Sequence, residues 1–171
     1  METARLYSFV GPDRLRHLRR SPSVCGPAYA AQVLAWISAQ LPRGRRDGAL
    51  TVTCTIDPSG QLWVADRHSE HVACADGGPV LAAGEMTFSF RADQISATGI
   101  TNQSTGFCPE PDCWPAVAGA LDRLAISHPG GFEHAFLFRR CPQCAAINLI
   151  KEEIFSCDCC AADLPAGWNF A

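Results

Sequence analysis

Several things are missing from this 171-residue chain, and each absence narrows its function. No stretch approaches the ~20 consecutive apolar residues that a membrane-crossing helix needs. Met1–Leu18 carries charges throughout and has no long apolar run of the kind that opens a secretory leader. There is no Walker loop, no dinucleotide-binding glycine fingerprint and no nucleophile elbow. Internal repeats, low-complexity tracts and long linkers are also lacking. Charged residues make up only 18% of the chain while apolar residues make up 47%, which excludes global disorder and supports a packed core. The expectation is a cytoplasmic protein with no membrane partner, whose thiols are mostly reduced or metal-bound.

What the chain does have is cysteine, ten in all, and half of them lie near the C-terminus. Cys141-Pro142-Gln143-Cys144 is followed after twelve residues by Cys157-Asp158-Cys159-Cys160. Each C-x-x-C forms a tight turn that aims two sulfurs at one point, and two such pairs at this separation give four thiolates for one tetrahedral, closed zinc site. Pro142 suits a turn because its φ is already set. The intervening Ala145–Ser156 is long enough for a short hairpin, and Ile147, Leu149, Ile150, Ile154 and Phe155 have strand character. Cys141, Cys144, Cys157 and Cys160 are therefore the candidate ligands of one structural Zn2+. Cys159 is a fifth thiol that can stand in for Cys157 or Cys160. A set of buried or redox-active thiols is the alternative reading. Ala145 and Ala161 follow the second cysteine of each pair, where such turns often place glycine to reach positive φ. Residues 138–162 together resemble a zinc ribbon.

Charge is uneven. Residues 1–46 carry +6, from eight arginines against Glu2 and Asp13, and the remainder carries −9, which gives the net charge of −3. A basic arm can bind nucleic acid or dock on the acidic body of its own fold, and the overall balance favours docking or plain solvation.

The rest of the chain reads as α+β, with an antiparallel β-rich body, two or three helices and the C-terminal ribbon. The expected division is a body over 1–137, comprising a helical region 1–48 and a β-rich core 49–137, and a ribbon module with its tail over 138–171. Asp13 is placed to cap a helix over Arg14–Arg20, and Ala28–Leu41 to form a second with Ala30, Val33, Leu34, Ile37 and Leu41 on one face. Ala49–Ile56 alternates, with Val52, Cys54 and Ile56 on one side and threonines on the other. Asp57-Pro58-Ser59-Gly60 turns the chain back into Gln61–Asp66. Val80–Phe90, Gln94–Thr101 and Phe132–Phe138 are further expected strands, and Trp114–Ile126 an expected helix with Pro115 in its first turn. The tail from Leu164 to Phe170 either packs back or forms a docking handle.

The order D-x-x-G-x-L-W-V, His68-Ser69-Glu70-His71, Ala83-Gly84-Glu85, Ile100-Thr101-Asn102-Gln103-Ser104 and Pro109 resembles a β-rich module of plant IQ-motif calmodulin-binding proteins and bacterial toxin-like proteins. That module has an H-S-S stretch, an A-G-E strand and an S-G-H-Y-x-P loop, and the resemblance covers residues 49–126. Here the family's histidine position falls on Gly106, so any chemistry resting on it is lost, and without an IQ motif calmodulin binding is not implied.

Three functions follow as expectations. The first is a non-enzymatic binding or adaptor module whose partner is another protein. The second is nucleic-acid binding through the ribbon and the arginine-rich arm, although Glu152, Glu153 and Asp158 offset Arg139, Arg140 and Lys151. The third is a toxin-like or hydrolytic enzyme using Glu85 as general base with His68 or His71 beside it. Glu85 tying loop amides together is the competing reading. Cys108 and Cys113, four residues apart across a proline-rich loop, read as a structural turn rather than half of a second metal site with His128 or Cys74. Asn102–Gly106 reads as a polar loop available to a ligand or partner.

Overall fold

A computed structural model describes residues 4–20, 35–37, 39–40, 48–91 and 94–170. The fold is α+β, with antiparallel strands in two sheets. Strands β1 (Gly48–Ile56), β2 (Leu62–Asp66), β3 (Ala82–Arg91) and β4 (Gln94–Thr98) form one sheet in the order β2-β1-β3-β4. Strands β5 (Leu137–Arg140) and β6 (Ile147–Ile150) form the second.

The β1–β2 hairpin arises where its turn residues lie. The Asp57 carboxylate accepts hydrogen bonds from the Ser59 and Gln61 amides, both at 2.9 Å, and from the Trp63 indole at 2.9 Å. Gly60 takes φ +81°, which glycine reaches without steric cost. The expected alternation along β1 holds for Val52, Cys54 and Ile56, all buried, but Thr53 and Thr55 are buried too. Their hydroxyls donate to the Ser69 carbonyl at 3.2 Å and to the Cys74 sulfur at 3.5 Å, because the segment after β2 folds over that face. A strand with neighbours on both edges and cover on both faces hides its polar residues only when they are hydrogen-bonded.

The core gathers Val52, Ile56, Met86 and Phe88 with Val117 and Leu121 of the helix Trp114–Arg123, which carries Pro115 in its first turn as expected. The N-terminal arm seals one side. Tyr7 exchanges backbone hydrogen bonds with Val80 at 2.8 and 3.0 Å, and Tyr7 and Phe9 are buried. Arg20 stacks 3.3 Å from the Trp63 ring centroid and donates to the Cys74 carbonyl, while Arg5 lies 5.1 Å from the Trp168 ring. The described part of the basic arm thus docks on its own body.

Two expected elements are different in the structure. Arg14–Arg20 is not a helix: a single 3-10 turn spans Asp13–Leu15, and the Asp13 side chain caps no amide but meets Arg16 instead. The residues of Phe132–Phe138 are irregular up to β5, which begins only at Leu137, because 127–134 runs beside β4 and makes isolated bridges there. The expected helix Ala28–Leu41 falls largely outside the described residues. Residues 35–37 and 39–40 are helical, and Ile37 is buried in the main core.

Candidate metal centre

β5 leads directly into the first cysteine pair and β6 leads away from it, so the hairpin register sets where the turn sits. Leu137 pairs with Ile150 and Arg140 with Ile147. Within the first turn the Cys141 amide donates to the Ala146 carbonyl at 2.8 Å and the Ala145 amide to the Cys141 carbonyl at 3.0 Å. The second turn repeats both bonds: Cys157 to Ala162 at 2.8 Å and Ala161 to Cys157 at 2.9 Å. Ala145 and Ala161 take φ values of 60° and 58°. The left-handed residue expected after each pair is present, supplied by alanine.

The Sγ atoms of Cys141, Cys144, Cys157 and Cys160 all lie within 4.8 Å of one another. Two of the contacts, Cys141–Cys160 and Cys144–Cys157, are 3.6 Å. A tetrahedral thiolate centre with metal–sulfur bonds of about 2.3 Å requires sulfur–sulfur edges of about 3.8 Å. The cluster therefore has the dimensions of a site that could hold a metal ion, and none of the nine described cysteines is in a disulfide. Cys159 is exposed and lies outside the cluster, while its amide donates to the Cys157 sulfur at 3.4 Å.

Backbone amides bias two of the four sulfurs toward the thiolate, Cys157 and Cys141, while Cys144 and Cys160 are raised. Cys157 accepts from the amides of Cys160 and Cys159, which outweigh desolvation and hold its thiol at about 6. Cys141 is lowered in the same way by Cys144 and Gln143. Cys144 takes one such bond, from Ala146, but sharing hydrogen bonds with the other sulfurs raises it to about 12. Amides aimed at sulfur favour the thiolate, the form that ligates metal.

The centre is fastened to the body. Two residues before Cys141, the Arg139 guanidinium meets Glu110 at 2.7 Å and the Ala166 carbonyl at 2.7 Å, with its side chain only 3% exposed. Trp168 donates to the Cys108 carbonyl at 2.8 Å, and Phe170 packs with Phe138 and Cys108. The tail packs back onto the protein.

Of the other candidate residues, His71 and Glu85 come near each other and His68 stands apart. β1 lies between β2 and β3, so Glu85 is paired with Thr53 and not with the strand preceding His68. His68 is exposed. His71 alone reaches β3, where its Nε2 lies 3.0 Å from the Gly84 carbonyl, and burial lowers its pKa despite that bond and the nearby Glu85. Cys74, Cys108 and Cys113 are buried and raised by desolvation, to about 11, 12 and 12, and none of them joins a metal-binding group among the described residues. Burial likewise raises Cys54, whose thiol donates to the Gly84 carbonyl.

The loop Asn102–Gly106 is half interior: Asn102 and Ser104 are buried, while Gln103 and Thr105 stay exposed at the surface that sequence suggested. Asn102 is buried, its amide donates to the carbonyls of Pro109 and Phe136 at 2.8 Å each, and its Oδ1 accepts from the Phe136 amide at 2.7 Å. It is a clasp between this loop and the approach to β5. Sequence reading missed it because its partners are backbone groups up to 34 residues away. No described helix is long and apolar enough to cross a membrane.

Comparison with models of known protein families, with curated proteins and with solved structures returned no match. The resemblance of residues 49–126 to the IQ-motif and toxin-like module gains no support from these comparisons.

Proposed function

We propose that this chain is a zinc-ribbon protein whose role is to bind another protein without catalysing a reaction. In this reading Cys141, Cys144, Cys157 and Cys160 hold one zinc ion and Cys159 does not. The convergence of the four sulfurs carries the reading. An all-thiolate set is soft and tetrahedral, which suits zinc, and it leaves no coordination position open for a substrate or water. The metal's contribution is to fix the two turns, and through β5 and the Arg139–Glu110 pair to hold the ribbon against the body.

The competing functions have less behind them. Binding of nucleic acid needs free cations, but Arg139 is buried in an ion pair and Arg140 lies 5.3 Å from the Phe170 ring centroid. An enzyme needs convergent acid and base groups; β1 separates Glu85 from the strand that leads to His68, and His71, which does lie near Glu85, is buried with its Nε2 engaged by the Gly84 carbonyl.

Native mass spectrometry of the full chain, purified from its own host without chelator, tests the adaptor reading. A companion protein at fixed stoichiometry supports it. The chain alone with a bound small molecule counts against it and moves weight to the body as a ligand-binding or catalytic unit.

A further inference from the structure

A second feature lies on the far side of β4. Parallel bridges pin the segment after the helix Trp114–Arg123 to this edge at two points, Ser96 to Ser127 and Thr101 to His134. Between the pins the chain advances five residues on the β4 side, 96 to 101, and seven on the other, 127 to 134. The excess bows outward through Pro129, Gly130 and Gly131 and leaves a cavity of about 670 Å³ against Thr98 and Gly99. Backbone bonds hold both ends, from the Ala97 amide to Ser127 at 2.7 Å and from the Glu133 amide to Ile100 at 2.9 Å.

Among small and polar residues the lining holds one phenyl ring, Phe132, and one carboxylate, Glu133. Phe132 forms part of the wall and is braced edge-on by Trp114, with ring centroids 5.1 Å apart and planes at 76°. Trp114 also packs at 5.7 Å on His128, whose two ring nitrogens face the Pro129 carbonyl at 2.7 Å and Asp122 at 3.1 Å. That ring is therefore already matched to a carboxylate. Glu133 is not: among the described residues it makes no ion pair, and no Arg or Lys lines the cavity. Its carboxylate rests over Gly99, where a Cβ would stand 3.2 Å from Oε2, so the absent side chain leaves it room to face the cavity.

We propose that this cavity binds an organic ammonium head group, seated on the Phe132 ring and neutralised by Glu133. A cation over an aromatic face gains from the ring quadrupole, and methyl groups on nitrogen suit walls such as Ala97 and Pro129. A bare metal ion does not fit, since hard cations require six or more oxygen ligands and this cavity offers one carboxylate.

The test is a titration of the full-length, 15N-labelled protein with choline and, separately, with its neutral isostere 3,3-dimethylbutan-1-ol, following the amide signals of Gly99, Phe132 and Glu133. Choline is expected to shift these signals saturably while the isostere leaves them in place. Glu133→Gln and Phe132→Leu should each weaken choline by about two- to fivefold, as expected for losing an exposed charge or cation–π contact. Glu133 is exposed, so its substitution leaves the remaining spectrum unchanged. Equal shifts from the isostere, unmoved signals with choline, or full affinity in Glu133→Gln would each overturn the proposal. Tighter binding of a short trimethyllysine peptide than of choline places the head group on a protein tail, and equal affinity places it on a free small molecule.

Discussion

Ala145 and Ala161 occupy the same place in two copies of one turn. Each follows the second cysteine of a pair, each has φ near +60°, and each donates its amide to the carbonyl of the pair's first cysteine. The left-handed conformation costs a residue with a Cβ on the order of 1 kcal/mol, a strain glycine avoids. Ala145→Gly and Ala161→Gly should therefore leave metal content unchanged and raise stability by up to about 1 kcal/mol each, after the entropy that glycine gains in the unfolded chain is subtracted. Denaturant unfolding of the metal-loaded protein measures this, and a loss of stability in both variants would mean the strain is compensated elsewhere.

Arg139 and Glu110 form a pair that is almost fully enclosed, with side-chain exposures of 3% and 16%. Removing one member strands the other, so Arg139→Ala should destabilise the protein by about 3 kcal/mol or more. Replacing both with apolar residues of similar size should recover much of that loss. A double-mutant cycle in denaturant reads the coupling, and additive effects would show the pair is not the link between ribbon and body.

Gly84 touches the backbone of Thr101 and Asn102 so closely that a Cβ would overlap the Thr101 carbonyl oxygen. Both partners are main chain and cannot rotate away. Gly84→Ala should cost more than about 3 kcal/mol, the upper range of overpacking effects, while Ala83→Gly on the same strand should cost much less. Thermal unfolding of the two variants side by side distinguishes this steric cause from a general intolerance of β3.

His71 supplies a pH dependence. Its folded pKa lies below the ordinary 6.5 because burial disfavours the imidazolium. The unfolded chain therefore takes up the proton first, and stability falls as pH drops below 6.5 until the folded pKa is reached. His71→Gln, which keeps a donor for the Gly84 carbonyl, should flatten the slope by at most about 1.4 kcal/mol per pH unit. Parallel slopes for variant and parent between pH 7 and 5 would remove His71 as the cause.

Local signals in the sequence carried far. The turn at Asp57–Gly60 forms from contacts within six residues, and the cysteine spacing anticipates a cluster because each pair folds on itself. Long-range pairing was not legible. Nothing near Glu85 in sequence says that β1 lies between β2 and β3, and that insertion is what separates the acid from the strand before His68. Pro12 precedes the first turn and Asp13 caps no amide, so the helix expected over Arg14–Arg20 shrinks to one 3-10 turn while Arg16 and Arg20 turn toward Phe9 and Trp63. The apolar run Phe132–Phe138 has strand composition, but its backbone partners are Ile100 and Asn102, which only the folded chain brings near.

The most direct measurement is elemental analysis of the purified protein alongside single cysteine variants. One zinc per chain in the parent and in Cys159→Ser, with zinc lost from Cys141→Ser, Cys144→Ser, Cys157→Ser and Cys160→Ser, is the predicted result. No zinc in the parent, iron in its place, or full zinc content in any of those four variants would contradict the four-thiolate zinc centre.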